Sequence, residues 1–171
     1  MLDIGCGNFP KGDVNCDLYW GTTPHIMDKK NIIDPKKILN FILASGEFLP
    51  LKDNSFDIVN ASQVLEHILT PPLLLREMKR VSKDIVMLDV PNLRRFFPEK
   101  NPKHLYTWSH QSLRNLLELF YDDVIIIGSN YGEYIPSRFM KLKLIGFIFR
   151  FLELFMKKIF GMPFIKAICK S

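Results

Sequence analysis

At 171 residues the chain is long enough for one α/β domain with its own core and too short for two. Hydrophobic residues make up 47%, which excludes a disordered chain. The net charge of +5 is unevenly placed: residues 1–130 carry 15 Lys and Arg against 16 Asp and Glu, and residues 131–171 carry 8 against 2, so no basic face is spread over the domain as nucleic-acid docking requires.

Met1–Ile4 reads as the stub of a first strand, cut short by the chain start, and Val14–Leu18 as a second. A short helix around Pro35–Asn40 precedes a third strand at Phe41–Ser45. Ser55–Asn60 is a fourth, bounded by the Asp53-Asn54 turn signal. Thr70-Pro71 opens a helix, with Thr as N-cap and Pro at the first helical position. That helix runs to about Ser82, with Leu74, Met78 and Val81 on one face. Ile85–Val90 is a continuous apolar run, as a buried parallel strand should be.

Ser109 caps a helix to about Phe120, whose Leu113, Leu116, Leu117 and Phe120 share a face. Val124–Gly128 and Phe164–Lys170 are the sixth and seventh strands. The alternation predicts an α/β fold, a mostly parallel sheet in one domain spanning 1–171. An insertion at about 131–162 separates the last two strands. Within it Leu142, Ile145, Phe149, Leu152, Phe155 and Ile159 recur at helical spacing, opposite Arg150, Glu153 and Lys157.

The three cysteines, Cys6, Cys16 and Cys169, are odd in number and lack CxxC spacing, so neither a disulfide framework nor a metal site is read. A reduced, cytoplasmic compartment is the default expectation, and no signal peptide is read. The most apolar segment, Phe139–Phe160, is interrupted by charged residues and does not read as a membrane span.

The first chemical signal is Leu2-Asp3-Ile4-Gly5-Cys6-Gly7 at one strand end, followed by Asp17 at the next. Two glycines let a backbone approach a ligand without a Cβ clash, and a carboxylate at the second tip can accept hydrogen bonds from both hydroxyls of a ribose. Asp17 comes ten residues after Gly7, and the turn lacks a third glycine at its usual place, which disfavours a nicotinamide dinucleotide site. Further along stand Ser45-Gly46-Glu47-Phe48-Leu49-Pro50, Asn54-Ser55-Phe56-Asp57-Ile58-Val59, Val64-Leu65-Glu66-His67-Ile68, Glu77-Met78-Lys79-Arg80-Val81 and Val90-Pro91-Asn92. His104-Leu105-Tyr106-Thr107-Trp108-Ser109 follows before an amphipathic helix.

In this order the motifs resemble the class I S-adenosylmethionine-dependent methyltransferases, of the type that includes ubiquinone-biosynthesis and many sugar or lipid methyltransferases. The resemblance implies a Rossmann-like seven-stranded mostly parallel sheet with S-adenosylmethionine as cofactor. It implies that Asp3 and the Gly5, Cys6, Gly7 backbone lie against the methionyl end, that Asp17 holds the ribose diol and that Leu18 faces the adenine. Ser45 and Gly46 would contact the adenine edge with Glu47 close by. Ala61, Ser62 and Gln63 would face the sulfonium. Ser45 stands where the family usually has Asp. Only five residues separate Gly7 from Asp13, too few for the usual crossover helix, so the first crossover helix is expected to be shortened or missing.

Family placement makes His104 and His67 the candidates for a base or an acceptor-positioning group, needed only if the acceptor must lose a proton. Each could equally serve its loop alone. The expected acceptor is a small molecule, a lipid or a glycan-linked group, with peripheral membrane contact through 139–160 as one reading and a lid over the sheet as the other. A homodimer stays open. A non-catalytic cofactor-binding subunit that activates a partner is the alternative, and RNA methylation ranks last because the first 130 residues have no basic surplus.

Overall fold

A computed structural model describes residues 1–22, 32–91, 102–128 and 164–171. The expected helical insertion at about 131–162 and His25 lie outside these residues. Seven strands form one sheet: β1 (Leu2–Ile4), β2 (Val14–Asp17), β3 (Phe41–Leu43), β4 (Phe56–Ser62), β5 (Ser82–Pro91), β6 (Asp123–Gly128) and β7 (Phe164–Lys170), in the order β3-β2-β1-β4-β5-β7-β6. The β3, β2, β1, β4 and β5 pairings are parallel, and β7 runs antiparallel to both β5 and β6. The expected α/β sheet is present.

The strand order reverses beside β1. The chain steps outward to β2 and β3, then returns to β4 on the other flank. Such a switch point opens a crevice beyond the carboxyl ends of the two diverging strands, where ligands of open α/β sheets bind. Gly5–Gly7 leave β1 at that edge, and Gln63 leaves β4 there.

Two helices among the described residues cover one face, α1 (Pro71–Val81) and α2 (His110–Leu117). In α1, Leu74, Leu75, Met78 and Val81 are fully buried against Leu2, Ile4, Val59, Ala61, Val86 and Leu88 of the central strands. Each such side chain contributes roughly 1.5–3 kcal/mol of apolar burial. The Tyr121 hydroxyl, buried just after α2, donates to the Leu75 carbonyl at 3.0 Å and locks the two helices together.

The caps divide the expectations. Ser109 accepts from the Ser112 N–H at 3.0 Å while the Ser112 hydroxyl accepts from the Ser109 N–H at 2.9 Å, a reciprocal capping box. Thr70, read as the N-cap of α1, makes no side-chain cap bond. Its own N–H donates instead to Glu47 Oε1 at 3.0 Å, so a carboxylate from the β3–β4 connection supplies the negative charge at this helix start.

The first crossover has no helix. The segment between Ile4 and Val14 lies directly on the sheet: Lys11 N–H donates to Asp3 Oδ2 at 2.9 Å and Asp13 N–H to the Met1 carbonyl at 2.9 Å. This close path leaves no space at Gly12, where a Cβ would come within 2.4 Å of the Val14 carbonyl oxygen and 2.9 Å of Asp3 N. Asn15, fully buried, fastens the loop by accepting from Gly12 N–H and donating to the carbonyls of Gly12 and Leu39, at 2.8–2.9 Å. The helix around Pro35–Asn40 is a 3-10 turn at Pro35–Lys37.

Candidate cofactor site and acceptor-side cluster

Side chains alternate along a strand, so the register sorts the candidates by face. Asp3 pairs with Asn15 on one side and Asn60 on the other, and Ser62 pairs with Asp89. These residues, with Asp17 two positions beyond Asn15, form a polar face opposite the helices. Ala61 belongs to the other face. The residue is 1% exposed within the apolar core, so its side chain packs under α1 and its backbone is the part at the β4 tip.

The two glycines of the β1 turn have different reasons to be glycine. Gly5 has φ +67°, and a Cβ there would lie 2.3 Å from Val64 Cγ2, so its bareness serves packing. Gly7 has φ +52°, yet a Cβ there would meet nothing within 4 Å among the described residues. The space beside Gly7 is therefore open.

Asp17 is buried beside it. Its Oδ2 accepts from Gly7 N–H at 2.9 Å and its Oδ1 from Tyr19 N–H at 2.9 Å. Each carboxylate oxygen accepts two hydrogen bonds, so both keep capacity for a ligand hydroxyl. Leu18, next in sequence, is 52% exposed and offers an apolar surface. Asp3 is spent internally: besides Lys11, its Oδ1 accepts from Asn60 Nδ2 at 2.6 Å. The Cys6 thiol is buried with Ile33 and Ile38, and burial, reinforced by Asp17 and Asp3, pushes it up to about 12. Only the backbone of Cys6 can face a ligand.

On the β3 side, Ser45 Oγ accepts from Glu47 N–H at 3.2 Å. A Cβ on Gly46 would lie 2.8 Å from Leu74 Cδ1 and 2.9 Å from Ile4 Cγ2, so this glycine lets α1 approach the sheet. An open hollow of about 680 Å³ lies on the β2–β3 crossover, lined by Trp20, Gly21, Thr22, Ile32, Ile33, Asp34, Pro35 and Lys37. It gathers no convergent acid–base chemistry, and the site is better placed by the strand tips.

At the β4 tip the backbone is held in a tight turn. Gln63 has φ +57° and donates its N–H to the Asp89 carbonyl at 2.7 Å. Ser62 Oγ donates to Asp89 Oδ2 at 3.1 Å. Burial raises the Asp89 carboxyl above its ordinary range, against the opposing pull of the Ser62 hydrogen bond and of Lys166. Sequence reasoning missed Asp89; the signal was a single carboxylate inside the apolar run Ile85–Val90.

His67 and His104 do come together. Their rings meet edge to face with centroids 4.7 Å apart and planes at 76°. His67 Nδ1 lies 3.2 Å from the Lys103 carbonyl oxygen. A carbonyl only accepts, so at this contact Nδ1 bears the proton. Glu66 joins them, with its side chain wholly buried. Its carbonyl accepts from Leu105 N–H at 2.8 Å and Tyr106 N–H at 3.3 Å, which ties the segment after β4 to the one before α2. Glu66 was legible as part of a motif but had no role assigned, because sequence does not show which way a side chain faces.

The open Gly7 turn, the carboxylate of Asp17 and the exposed Leu18 lie together at the tips of β1 and β2. Residues 21–85 match the family described as methyltransferase domain. The chain is 38% identical over 100 residues to an uncharacterized methyltransferase of Schizosaccharomyces pombe, a match covering 48% of this chain and 36% of that relative's length. A SAM-dependent methyltransferase from Archaeoglobus fulgidus superposes with a TM-score of 0.63 at 20% identity, over 99% of this chain and 85% of that one. A phosphoethanolamine N-methyltransferase of Haemonchus contortus superposes with a TM-score of 0.62 at 12% identity, over 100% of this chain and 48% of that one. At such identities the superpositions speak for the fold. The chain is thus similar to methyltransferases over residues 21–85 and over the 100 residues aligned with the Schizosaccharomyces pombe relative, and it shares its fold with S-adenosylmethionine-dependent methyltransferases.

Proposed function

We propose that this chain transfers a methyl group from S-adenosylmethionine to a small-molecule, lipid or glycan-linked acceptor. The observation that carries this reading is the pairing of an open Gly7 turn with a carboxylate already fixed beside it by the Gly7 N–H. Bound there, S-adenosylmethionine supplies a methyl group on a sulfonium, which is already a good leaving group.

The chain's own residues would then hold and orient. Asp17 would accept from the ribose hydroxyls through its remaining lone pairs, and Leu18 would cover one adenine face. Ser45, Gly46 and Glu47 would border the adenine edge through backbone groups, since the Glu47 carboxylate is engaged at α1. Ser62 and Gln63, ordered by Asp89, would sit toward the sulfonium. Much of the rate would come from this positioning. The acceptor-side group would be the Glu66, His67, His104 cluster, where His67 Nε2 is the nitrogen able to take a proton from a hydroxyl.

The sequence of 139–160, basic and rich in phenylalanine, supports a lipid-borne acceptor at a membrane surface. No helix among the described residues is long and apolar enough to cross a membrane. Release of S-adenosylhomocysteine over an acceptor panel of phenols, amines, lipid headgroups and glycans tests the activity. Turnover on one class establishes it, and cofactor binding without turnover on any would favour a non-catalytic subunit. Sedimentation with anionic liposomes at low salt tests the membrane reading, which fails if the protein stays in the supernatant.

A further inference from the structure

We propose that Glu66, His67 and His104 form a binding site for a divalent metal ion of the Zn²⁺ type. One carboxylate oxygen and one nitrogen from each imidazole all lie within 4.8 Å of one another. A tetrahedral shell with bonds of about 2.1 Å separates its ligand atoms by roughly 3.3 Å. Ligation would require the three side chains to close the remaining gap. Two histidines and one carboxylate are a donor set that borderline ions favour over Mg²⁺ or Ca²⁺.

Three further features favour a metal. His67 is oriented as metal-bound imidazoles are: its Nδ1–H is held by the Lys103 carbonyl, the usual outer contact of a ring that ligates through its other nitrogen. The two segments that supply the ligands are clamped to each other by the Glu66 carbonyl and by the Tyr106 hydroxyl, which donates to the Leu69 carbonyl at 2.9 Å. And Glu66, 0% exposed, carries a carboxylate whose desolvation a divalent cation offsets more fully than one imidazolium can.

The chain's thiols do not compete. Burial pushes Cys6, Cys16 and Cys169 up to about 12, so none is a thiolate at neutral pH. The sequence reading found no metal ligands because it looked to cysteine spacing, whereas these ligands are two adjacent residues and one far along the chain. Three protein ligands leave one position for water or an acceptor oxygen. In the loaded site Nε2 no longer takes a proton, and lowering of the bound hydroxyl's pKa takes over that task. The metal site itself stands independently of the methyl-transfer reading.

The experiment is direct metal titration of the chelator-stripped protein with Zn²⁺ at neutral pH, repeated with Co²⁺ to read its visible absorption. One equivalent is expected, with the intense d–d bands of a low-coordinate cobalt. His67→Ala, His104→Ala and Glu66→Gln should each weaken binding at least tenfold, and His110→Ala should leave it unchanged. Far-UV circular dichroism checks that each variant is folded, and the half-buried His67 provides a variant least able to disturb the core. Failure of the wild-type protein to bind one equivalent overturns the proposal. So does stoichiometric binding that folded His67→Ala leaves within twofold, which would assign the ion to another surface.

Discussion

The two turn glycines after β1 separate stability from ligand binding. At Gly5 an alanine methyl collides with Val64 Cγ2 at 2.3 Å in a left-handed backbone, so Gly5→Ala should destabilise the fold by about 1–3 kcal/mol. At Gly7 the same change meets no described atom. Gly7→Ala should leave a folded protein, less stable by about 1 kcal/mol from its positive φ, with cofactor affinity lowered at least tenfold if the open space beside this turn is where the ligand lies. Chemical denaturation and ligand titration on both variants check this split; equal affinity in Gly7→Ala and wild type would contradict it. Asp89 gives a second residue-scale test. Its folded-state pKa is raised, so ionisation weakens the fold, and its stabilising contribution is present at low pH and lost as pH rises through the raised value. Asp89→Asn should therefore unfold at a higher temperature than wild type at pH 7, and the difference should vanish below the ordinary Asp range.

At the scale of elements, α1 is fixed to the β3–β4 connection by one ion pair with many attachments. The Arg80 guanidinium bonds both Glu77 oxygens at 2.7 Å, the Leu49 and Leu51 carbonyls at 3.0 and 2.7 Å, and Asp53 at 2.7 Å. Glu77 also accepts from Leu49 N–H at 2.8 Å. The hydrogen bond from Arg80 holds the Glu77 carboxyl below its ordinary 4.5. A lowered carboxyl pKa stabilises above the unfolded value and is lost as pH falls through the folded one. Glu77→Gln should cost about 1–3 kcal/mol near neutral pH, with the gap constant down to about pH 5 and closing below 4.5. Urea denaturation across pH measures it.

This network also shows what a linear reading can and cannot reach. The apolar spacing of Leu74, Met78 and Val81 specifies α1 because periodicity is local. Its start at Thr70-Pro71 is legible for the same reason, with Thr70 in the N-cap position, whereas the carboxylate that Thr70 N–H meets there, Glu47, lies 23 residues away. β5 begins at Ser82, directly from the helix, and the charges of Lys83 and Asp84 hid that start because they face solvent. The tight turn after β1 was legible from Gly5 and Gly7, whereas the facing of Ala61, the packing duty of Gly46 and the burial of Glu66 follow from register and tertiary contact.

At the scale of the molecule, the strand order reverses between the paired strands β1 and β4, and Asp3, Asn15, Asp17, Asn60, Ser62 and Asp89 share the sheet face opposite the helices. The helix-free first crossover is held on the sheet by backbone bonds and the buried Asn15 amide, so no helix N-terminus stands at the β1 tip. Help from a helix dipole is absent there, and the ligand is left to the Gly7 turn and the Asp17 carboxylate. Asp17 is therefore the residue on which an adenosyl group should depend most. Calorimetric titration of S-adenosylmethionine into wild type and folded Asp17→Ala tests this directly. The account predicts one site in the wild-type protein and an affinity loss of at least tenfold, about 1.4 kcal/mol or more, in the variant. An absence of binding to wild type, or an affinity that Asp17→Ala leaves unchanged, would contradict it.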